Sequence, residues 1–301
     1  NHADLPPQPA CVPVAALLSP GVVAYLARTQ EKRRELFLPF REALNILSLS
    51  LFDWRLHETS KDPIGKSMKP CSGQTADSLR IGGLQPMTTL DYPDHLSCVL
   101  FCQGCAWQCR YCHNPELIAP RGDAPHSWRS VLDFLQQRQG LLDAVVFSGG
   151  EATLQPGLPQ AMQAVRALGF KVALHSAGIK PAALARVLPW CDWVGFDVKG
   201  LQEQVELITG TPRSGQANWQ SLQLLHASGV DYECRTTVHW QLFDCDALLR
   251  LAHRLAGQGV RRFAVQLARP ARMLDPSLGP SITPPEAASL WPQLYSLFVR
   301  F

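Results

Sequence analysis

Short apolar runs alternate with amphipathic segments along the chain from Leu79 onward. The apolar runs have the length and the β-branched and aromatic content of buried strands, and they cover residues 97–102, 144–147, 171–175, 193–196, 232–238 and 263–267. Helical spacing of apolar residues follows over 128–138, with Ser127 as its predicted N-cap, and over 157–168, 181–188, 218–227, 245–256 and 285–299. The pattern predicts six strand–helix units.

Alternating apolar strands and helices indicate an α/β fold with a parallel sheet and helices outside it. The number of units falls short of the eight of a closed barrel, so the pattern favours a partial, open (β/α)6 barrel, with a doubly wound open sheet as the alternative. In both folds, ligands bind at the carboxyl ends of the strands. Distinctive residues follow those predicted ends: the cysteine-rich loop, Gly149-Gly150-Glu151, His175-Ser176, Asp197 with Lys199, and Arg235 to His239.

Residues 1–67 have a different pattern from the rest of the chain. They begin with a proline-rich stretch and continue with two segments of helical spacing around Pro39. We expect an extension that is not part of the catalytic unit, and a helical appendage that docks a partner is the alternative. Met68-Lys-Pro would make a natural start for the remainder of the chain, in which residues 68–78 are predicted to be a flexible lead-in and 79–301 the catalytic domain.

Composition narrows the function classes. Of 301 residues, 46% are hydrophobic and 18% charged, which predicts a large core rather than disorder. A net charge of +3 does not suggest a nucleic-acid binder. No apolar run reaches the roughly 18–20 residues that span a bilayer, so we expect no membrane association and a cytoplasmic protein.

Cysteine usage points to an inorganic centre. Five of the ten cysteines fall between Cys98 and Cys112, whereas a disulfide-stapled secreted domain spreads its cysteines through a short chain. Cys105, Cys109 and Cys112 follow the first predicted strand with the spacing C-x3-C-x2-C. Such a loop offers thiolates to an iron–sulfur cluster, to zinc or to disulfides.

With Cys102 added, the cysteines also form two CxxC pairs that suit a tetrahedral zinc site. Only three residues separate these pairs, whereas the pairs of structural zinc sites are usually a dozen or more residues apart. A cluster held by three thiolates would leave one iron open to a substrate.

The cysteine spacing, followed by Gly-Gly-Glu after the next strand, resembles the radical S-adenosylmethionine superfamily, whose fold is a partial (β/α)6 barrel. The resemblance implies that Cys105, Cys109 and Cys112 hold a 4Fe–4S cluster whose open iron binds S-adenosylmethionine. It implies that Tyr111 lies beside the adenine, and that the Gly149-Gly150-Glu151 motif binds the methionine amino group with Glu151 as its charged acceptor.

The resemblance also implies cofactor contacts at later strand ends. Asp197 and Lys199 would hold the ribose and the carboxylate of S-adenosylmethionine, although an exposed ion pair closing a strand is the simpler interpretation. His175 and Ser176 would contact the ribose or the methionine, although a hydrogen-bonded structural histidine is a fair rival. Arg235 and His239 stay without an assigned role.

A closer resemblance is to the anaerobic ribonucleoside-triphosphate reductase activating proteins, and it covers about residues 79–270. Its motifs are Leu79-Arg-Ile-Gly-Gly-Leu84, Thr88-Thr-Leu-Asp-Tyr-Pro93, Phe101-Cys-Gln-Gly-Cys105, Tyr111-Cys-His-Asn-Pro115, His175-Ser-Ala-Gly178, Asp192 to Lys199, Thr209-Gly-Thr211 and Arg235-Thr-Thr-Val-His239. No cysteine lies between Cys112 and Cys191, so one cluster is expected.

This closer resemblance implies that flavodoxin or ferredoxin donates an electron and that S-adenosylmethionine is cleaved to a 5′-deoxyadenosyl radical. The radical then removes a hydrogen from a glycine of the partner reductase. Two other hypotheses remain: a radical enzyme acting on a small molecule, as in deazapurine synthesis, and a non-catalytic zinc-binding module.

Overall fold

A computed structural model describes residues 75–269 and 272–298. The extension predicted over 1–67 lies outside these residues, as does most of the lead-in predicted over 68–78. Both expectations, and the domain boundary between them, therefore stay predictions. The described end of the lead-in forms one 3-10 turn, Ala76–Ser78.

Seven strands form one sheet in sequential order, from β1 to β7. They are β1 (Ile81–Thr88), β2 (Ser97–Cys102), β3 (Ala144–Gly149), β4 (Lys171–Ser176), β5 (Trp193–Asp197), β6 (Asp231–Val238) and β7 (Phe263–Leu267). Strands β2 to β7 are parallel, and β1 pairs antiparallel with β2. A doubly wound sheet reverses its strand order at a switch point, and this sheet does not, so the six predicted parallel strands are confirmed in singly wound order.

Seven α-helices connect or follow the strands of the described chain. They are α1 (Trp128–Gln136), α2 (Leu158–Ala167), α3 (Pro181–Val187), α4 (Val205–Thr209), α5 (Ser214–Ser228), α6 (Cys245–Gly257) and α7 (Ala287–Leu297). Helix α1 begins as predicted, because the Ser127 side chain accepts a hydrogen bond from the Ser130 amide. None of these helices combines the length and the hydropathy needed to span a bilayer.

Strand β1 and the five-residue helix α4 were not predicted from the pattern. Gly82, Gly83 and Pro86 are depleted in strands, which hides β1 in the sequence. The structure tolerates them because β1 lies at the sheet edge, and its pairing with β2 is irregular at Ile81/Gly83 and at Gln85/Thr88.

Strands β2 to β5 are buried on both faces over most of their length, as is usual when helices cover a parallel sheet, whereas the edge strand β7 is partly exposed. On β3, Val145 and Phe147 belong to the large core beneath the helices, whereas Val146 belongs to a small cluster on the opposite face. Tyr92 and Trp193 also belong to that small cluster, and their rings stack with centroids 5.2 Å apart. The candidate site lies on the same face of the sheet as this small cluster, at the carboxyl ends of the strands.

Candidate active site

A cavity of about 190 Å³ opens at the carboxyl ends of β2 to β6. Most of the residues singled out from the sequence line it: Cys105, Cys109, Tyr111, Cys112, Gly149, Gly150, His175, Ser176, Asp197 and Lys199. Ser148 and Thr237 add small polar side chains to its wall. The structure therefore brings together residues that span almost a hundred positions of sequence, and among the predicted site residues Glu151 does not line the cavity.

The loop after β2 folds back on itself around the three cysteines. Gly104 has a φ of +100°, a conformation that glycine adopts readily. Its amide donates to the carbonyl of Leu117 at 2.8 Å, and the Cys105 amide donates to the carbonyl of Ile118 at 3.0 Å. These bonds hold the Cys105 side of the loop.

The other side of the loop is held by helix α4. The amides of Gln108 and Arg110 donate to the carbonyls of Thr209 and Ile208, at 3.1 and 2.9 Å. Thr209 is fully buried, and its hydroxyl donates to Ser214 Oγ at 2.7 Å. The Thr209-Gly-Thr211 motif was the sequence signal for this contact, although the pattern did not predict the helix.

The three thiols are suited to an electropositive inorganic centre. All three are free of disulfides and partly exposed. Burial raises the pKa of the Cys105 thiol to about 12. Burial likewise raises the pKa of Cys109, against the opposing effect of the Lys199 ammonium. Metal ligands are thiolates, so a cationic centre would compensate the negative charges of these three partly buried groups.

The donor set of this loop suits an iron–sulfur cluster. Cys105, Cys109 and Cys112 are free thiols that line one cavity. Iron–sulfur clusters are held by cysteine thiolates, and in a cubane cluster each thiolate binds an iron of its own. The residues present therefore fit the implied 4Fe–4S group.

Cys102 does not join the other three cysteines. It ends β2, is fully buried in the large core, and pairs with Gly149 across the sheet. Burial raises the pKa of its thiol to about 12. The four-cysteine zinc site considered from the sequence would need this side chain in the cavity, where it does not lie.

Gly149 and Gly150 let the end of β3 approach the cysteine loop. Gly149 has a φ of +121°, and a Cβ there would lie 2.3 Å from the backbone nitrogen of Cys102. A Cβ on Gly150 would lie 2.5 Å from the carbonyl oxygen of Gly104. The glycines are thus required by backbone packing, and they also line the cavity.

Glu151 is buried between the ends of β3 and β4. Its Oε1 accepts from Ser176 Oγ at 2.7 Å and from both the hydroxyl and the amide of Thr153, at 2.5 and 3.2 Å. Its Oε2 accepts from the Ala177 amide at 3.0 Å. Burial raises the pKa of this carboxyl, and the four hydrogen bonds oppose that rise. In this structure the carboxylate joins two strand ends, whereas the sequence resemblance implied a contact with the methionine amino group.

Asp197 and Lys199 form an ion pair at the cavity wall, with Nζ to Oδ2 at 2.8 Å. Burial opposes ionisation of both groups, but their mutual attraction wins, so the pKa of Asp197 is lowered and that of Lys199 is raised. The Lys199 ammonium also lies 5.8 Å from the ring centroid of Tyr111. The Tyr111 hydroxyl is buried and has no hydrogen-bond partner among the described residues, so it is available to a ligand in the cavity.

Asn218 of α5 was missed from the sequence and organises two strand ends. Its Nδ2 donates to the carbonyls of Ala177 and Asp197, at 2.8 and 2.9 Å, and its Oδ1 accepts from the Lys199 amide at 3.2 Å. It is fully buried. A single asparagine at the predicted start of a helix gave no signal of this role.

His175, which lines the cavity, and Arg235, which lies outside the lining, are in contact and form a polar layer. Arg235 Nε lies 3.1 Å from Glu233 Oε1, and its guanidinium lies 5.0 Å from the Trp193 ring centroid. His175 Nε2 donates to the Asp91 carbonyl at 2.7 Å, so its 3.1 Å contact with Arg235 is not also a hydrogen bond. Burial and the Arg235 charge lower the pKa of His175 to about 4.

Two residues left without a role in the sequence lie outside the cavity lining. Arg235 belongs to the polar layer just described. His239 Nε2 donates to the carbonyl of Gly279 at 2.9 Å, and its Nδ1 accepts from the Gln241 amide at 3.3 Å. Within the described residues, both side chains therefore support the site rather than form its wall.

This fold and this site fit an enzyme that uses an iron–sulfur cluster. The profile of the Radical SAM superfamily matches residues 99–266, more than half of the chain, and the chain belongs to that superfamily. Its cofactors are a 4Fe–4S cluster and S-adenosylmethionine. The solved structure described as native anSMEcpe with bound AdoMet shares the fold, at a TM-score of 0.52 and 14% identity, over 64% of this chain and 57% of that one.

Curated relatives extend the comparison. MJ1227 of Methanocaldococcus jannaschii, named for glycyl-radical enzyme activation, is 29% identical over 52% of this chain and 67% of its own length. The pyruvate formate-lyase-activating enzyme of Clostridium pasteurianum is 30% identical over 45% of this chain and 59% of its own. An S-adenosylmethionine-dependent nucleotide dehydratase of a Thermoplasmatales archaeon (strain ISO4-H5) is 28% identical over 44% of this chain and 49% of its own. The chain thus spans about half to two thirds of these relatives.

Proposed function

We propose that this protein is an activating enzyme that installs a glycyl radical on anaerobic ribonucleoside-triphosphate reductase, with flavodoxin or ferredoxin as the electron donor. The main support is that two of the relatives are named for activating glycyl-radical enzymes. In the balanced reaction, one electron, S-adenosylmethionine and a glycine residue give methionine, 5′-deoxyadenosine and a glycyl radical. The cluster and S-adenosylmethionine supply the oxidising hydrogen-atom acceptor when bound.

The protein's own residues bind and orient in this proposal. Tyr111, Asp197 and Lys199 form one charged and aromatic wall for the S-adenosylmethionine. Gly149 and Gly150 bring backbone close to it, and His175 and Ser176 lie at the neighbouring strand end. These contacts with S-adenosylmethionine stay predictions from the sequence.

The open sheet would let a segment of a protein substrate reach the cavity. In the described chain, β1 and β7 each pair with one strand, so the sheet does not close. A glycine has no side chain to clash at a narrow entrance, and its backbone can enter a cavity of this kind.

The test uses anaerobically purified protein with a reconstituted cluster, a chemical reductant, S-adenosylmethionine and the reductase. A glycyl doublet in the electron paramagnetic resonance spectrum is expected only when all components are present. Cys105→Ala should abolish iron binding and the doublet, whereas Cys102→Ala should retain both because Cys102 lies in the core. Absence of the doublet with fully loaded enzyme would refute the proposed substrate.

A small-molecule substrate is the second candidate, and the nucleotide dehydratase relative favours it. It predicts cleavage of S-adenosylmethionine that depends on an added nucleotide or deazapurine precursor rather than on the reductase. The same anaerobic preparation, assayed for 5′-deoxyadenosine with each substrate class in turn, separates the two candidates.

A further inference from the structure

A segment near the carboxyl end of the described chain crosses to the cysteine loop. This strap, residues 272–279, comes after β7 in sequence. The Leu274 amide donates to the carbonyl of Cys112 at 3.1 Å, and the Asp275 amide donates to the carbonyl of Arg110 at 2.9 Å. The strap therefore holds the backbone of the loop at the cluster ligand Cys112 and next to the ligand Cys109.

An ion pair adds to these backbone bonds. Asp275 Oδ2 lies 2.7 Å from Arg110 Nε, and the two side chains are 23% and 33% exposed. Asp275 is itself fixed, because its Oδ1 accepts from the amide and the hydroxyl of Ser277 at 2.9 and 2.6 Å. Those bonds and Arg110 lower the pKa of Asp275 to about 2, so the pair is charged at neutral pH.

Arg110 is consequently held from two sides. Its amide donates to the Ile208 carbonyl of α4, and its carbonyl accepts from the strap. The Cys105 side of the loop is anchored by nearby backbone, at Leu117 and Ile118. The Cys109–Cys112 side has one local bond, from the Cys112 amide to the Cys109 carbonyl at 2.8 Å, and its other backbone bonds go to elements remote in sequence. Ligand side chains must be fixed by their supporting contacts if a metal centre is to keep its geometry.

We propose that Asp275 is a positioning residue for the cluster, which acts through Arg110 to fix the backbone between Cys109 and Cys112. This positioning role requires that the protein binds the 4Fe–4S cluster of its superfamily, and it does not depend on the identity of the substrate. It predicts that the cluster is retained less well when the ion pair is broken, even though no ligand is removed and the fold is intact.

The test measures cluster retention in the reconstituted full chain under anaerobic conditions. An iron chelator is added, and the loss of visible absorbance is followed in the wild type and in Asp275→Asn, Arg110→Ala and the double variant. Asp231→Asn serves as the matched control, because Asp231 pairs with Arg262 at the same 2.7 Å but away from the cavity lining.

Asp275→Asn should lose the cluster about five-fold faster than the wild type, the upper range for a partly exposed ion pair. The double variant should be no faster than the faster single variant, since the two residues act as one unit. Asp275→Glu should recover part of the retention, and Asp231→Asn should match the wild type.

Two further measurements separate positioning from general stability. The unfolding midpoint of the cluster-free Asp275→Asn protein should shift no more than that of the cluster-free Asp231→Asn control, which also loses one ion pair. The electron paramagnetic resonance spectrum of the reduced cluster in Asp275→Asn should change in shape, and that of the control should not. The proposal is overturned if Asp275→Asn loses the cluster at the control's rate. It is equally overturned if the single effects add in the double variant, or if cluster-free Asp275→Asn is destabilised more than the cluster-free Asp231→Asn control by enough to account for the faster cluster loss.

Discussion

Replacing Glu151 by glutamine tests whether this residue is structural or binds the cofactor. The carboxylate accepts four hydrogen bonds from Thr153, Ser176 and Ala177. The amide has nearly the same shape, but one of its two terminal atoms donates instead of accepting. The amide oxygen will take the Oε1 position, where three donors converge, and the amide nitrogen will then face the Ala177 amide.

Most of the expected loss in the free energy of unfolding comes from this contact between two donors. A buried donor left without an acceptor costs about 1–3 kcal/mol, and the three remaining bonds lose their charge assistance. Part of this loss is offset, since burial raises the pKa of the carboxyl and a neutral amide escapes that desolvation. The loss of the acceptor outweighs this relief, and we expect Glu151→Gln to lower the free energy of unfolding by about 2 kcal/mol.

The assay is urea unfolding of the cluster-free protein, with Glu203→Gln at an exposed position as the control. The control should unfold at the wild-type midpoint. If Glu151→Gln also lies within about 0.5 kcal/mol of the wild type while S-adenosylmethionine binds more weakly, the structural interpretation is wrong. The residue would then have the ligand-binding role that the sequence resemblance implied.

Two further variants test the glycine turn and the polar layer. Gly150→Ala should destabilise the protein by about 1–3 kcal/mol and impair cluster reconstitution, because its Cβ would lie 2.5 Å from the Gly104 carbonyl oxygen. The control is Gly257→Ala, whose Cβ would have no atom within 4 Å. It should be neutral or slightly stabilising in the same unfolding assay. Burial and Arg235 lower the pKa of His175 from 6.5 to about 4. Between these pH values the imidazole is protonated in the unfolded chain but not in the folded one, so stability falls as the pH drops from 6.5 toward 4. His175→Gln should remove up to about 3 kcal/mol of that pH dependence, and parallel wild-type and variant stability curves over this range would contradict the reasoning.

The parallel strands were predictable because each is a short apolar run with a polar end. Strand β1 was not, because Gly82, Gly83 and Pro86 are acceptable only where a strand has one neighbour. That condition is a property of the finished sheet and is invisible in the local pattern. Helix α4 was missed for a similar reason, since five residues are too few to show helical periodicity.

The cavity wall was predicted well, and the contacts behind it were not. Residues at strand ends share one edge of the sheet by topology, so His175, Asp197 and Lys199 could be grouped from the order of strands and helices alone. Asn218 and Asp275 act through hydrogen bonds and an ion pair with residues remote in sequence. A single polar residue in a helix or a late loop carries no spacing signal, and nothing in the pattern distinguishes it from a surface side chain.

The carboxylates of Glu151 and Asp197 differ in how accessible they are to a ligand. Glu151 accepts three hydrogen bonds from protein donors at Oε1 and one at Oε2, and it is only 2% exposed. Asp197 accepts from Lys199 through Oδ2, and its side chain remains 35% exposed in the cavity wall. A ligand hydroxyl or ammonium group can therefore be accepted at Asp197 without breaking any bond that holds the strands together. Glu151 lies outside the cavity lining, so a ligand could reach its carboxylate only if the ends of β3 and β4 moved, whereas the predicted contact at Asp197 requires no such movement.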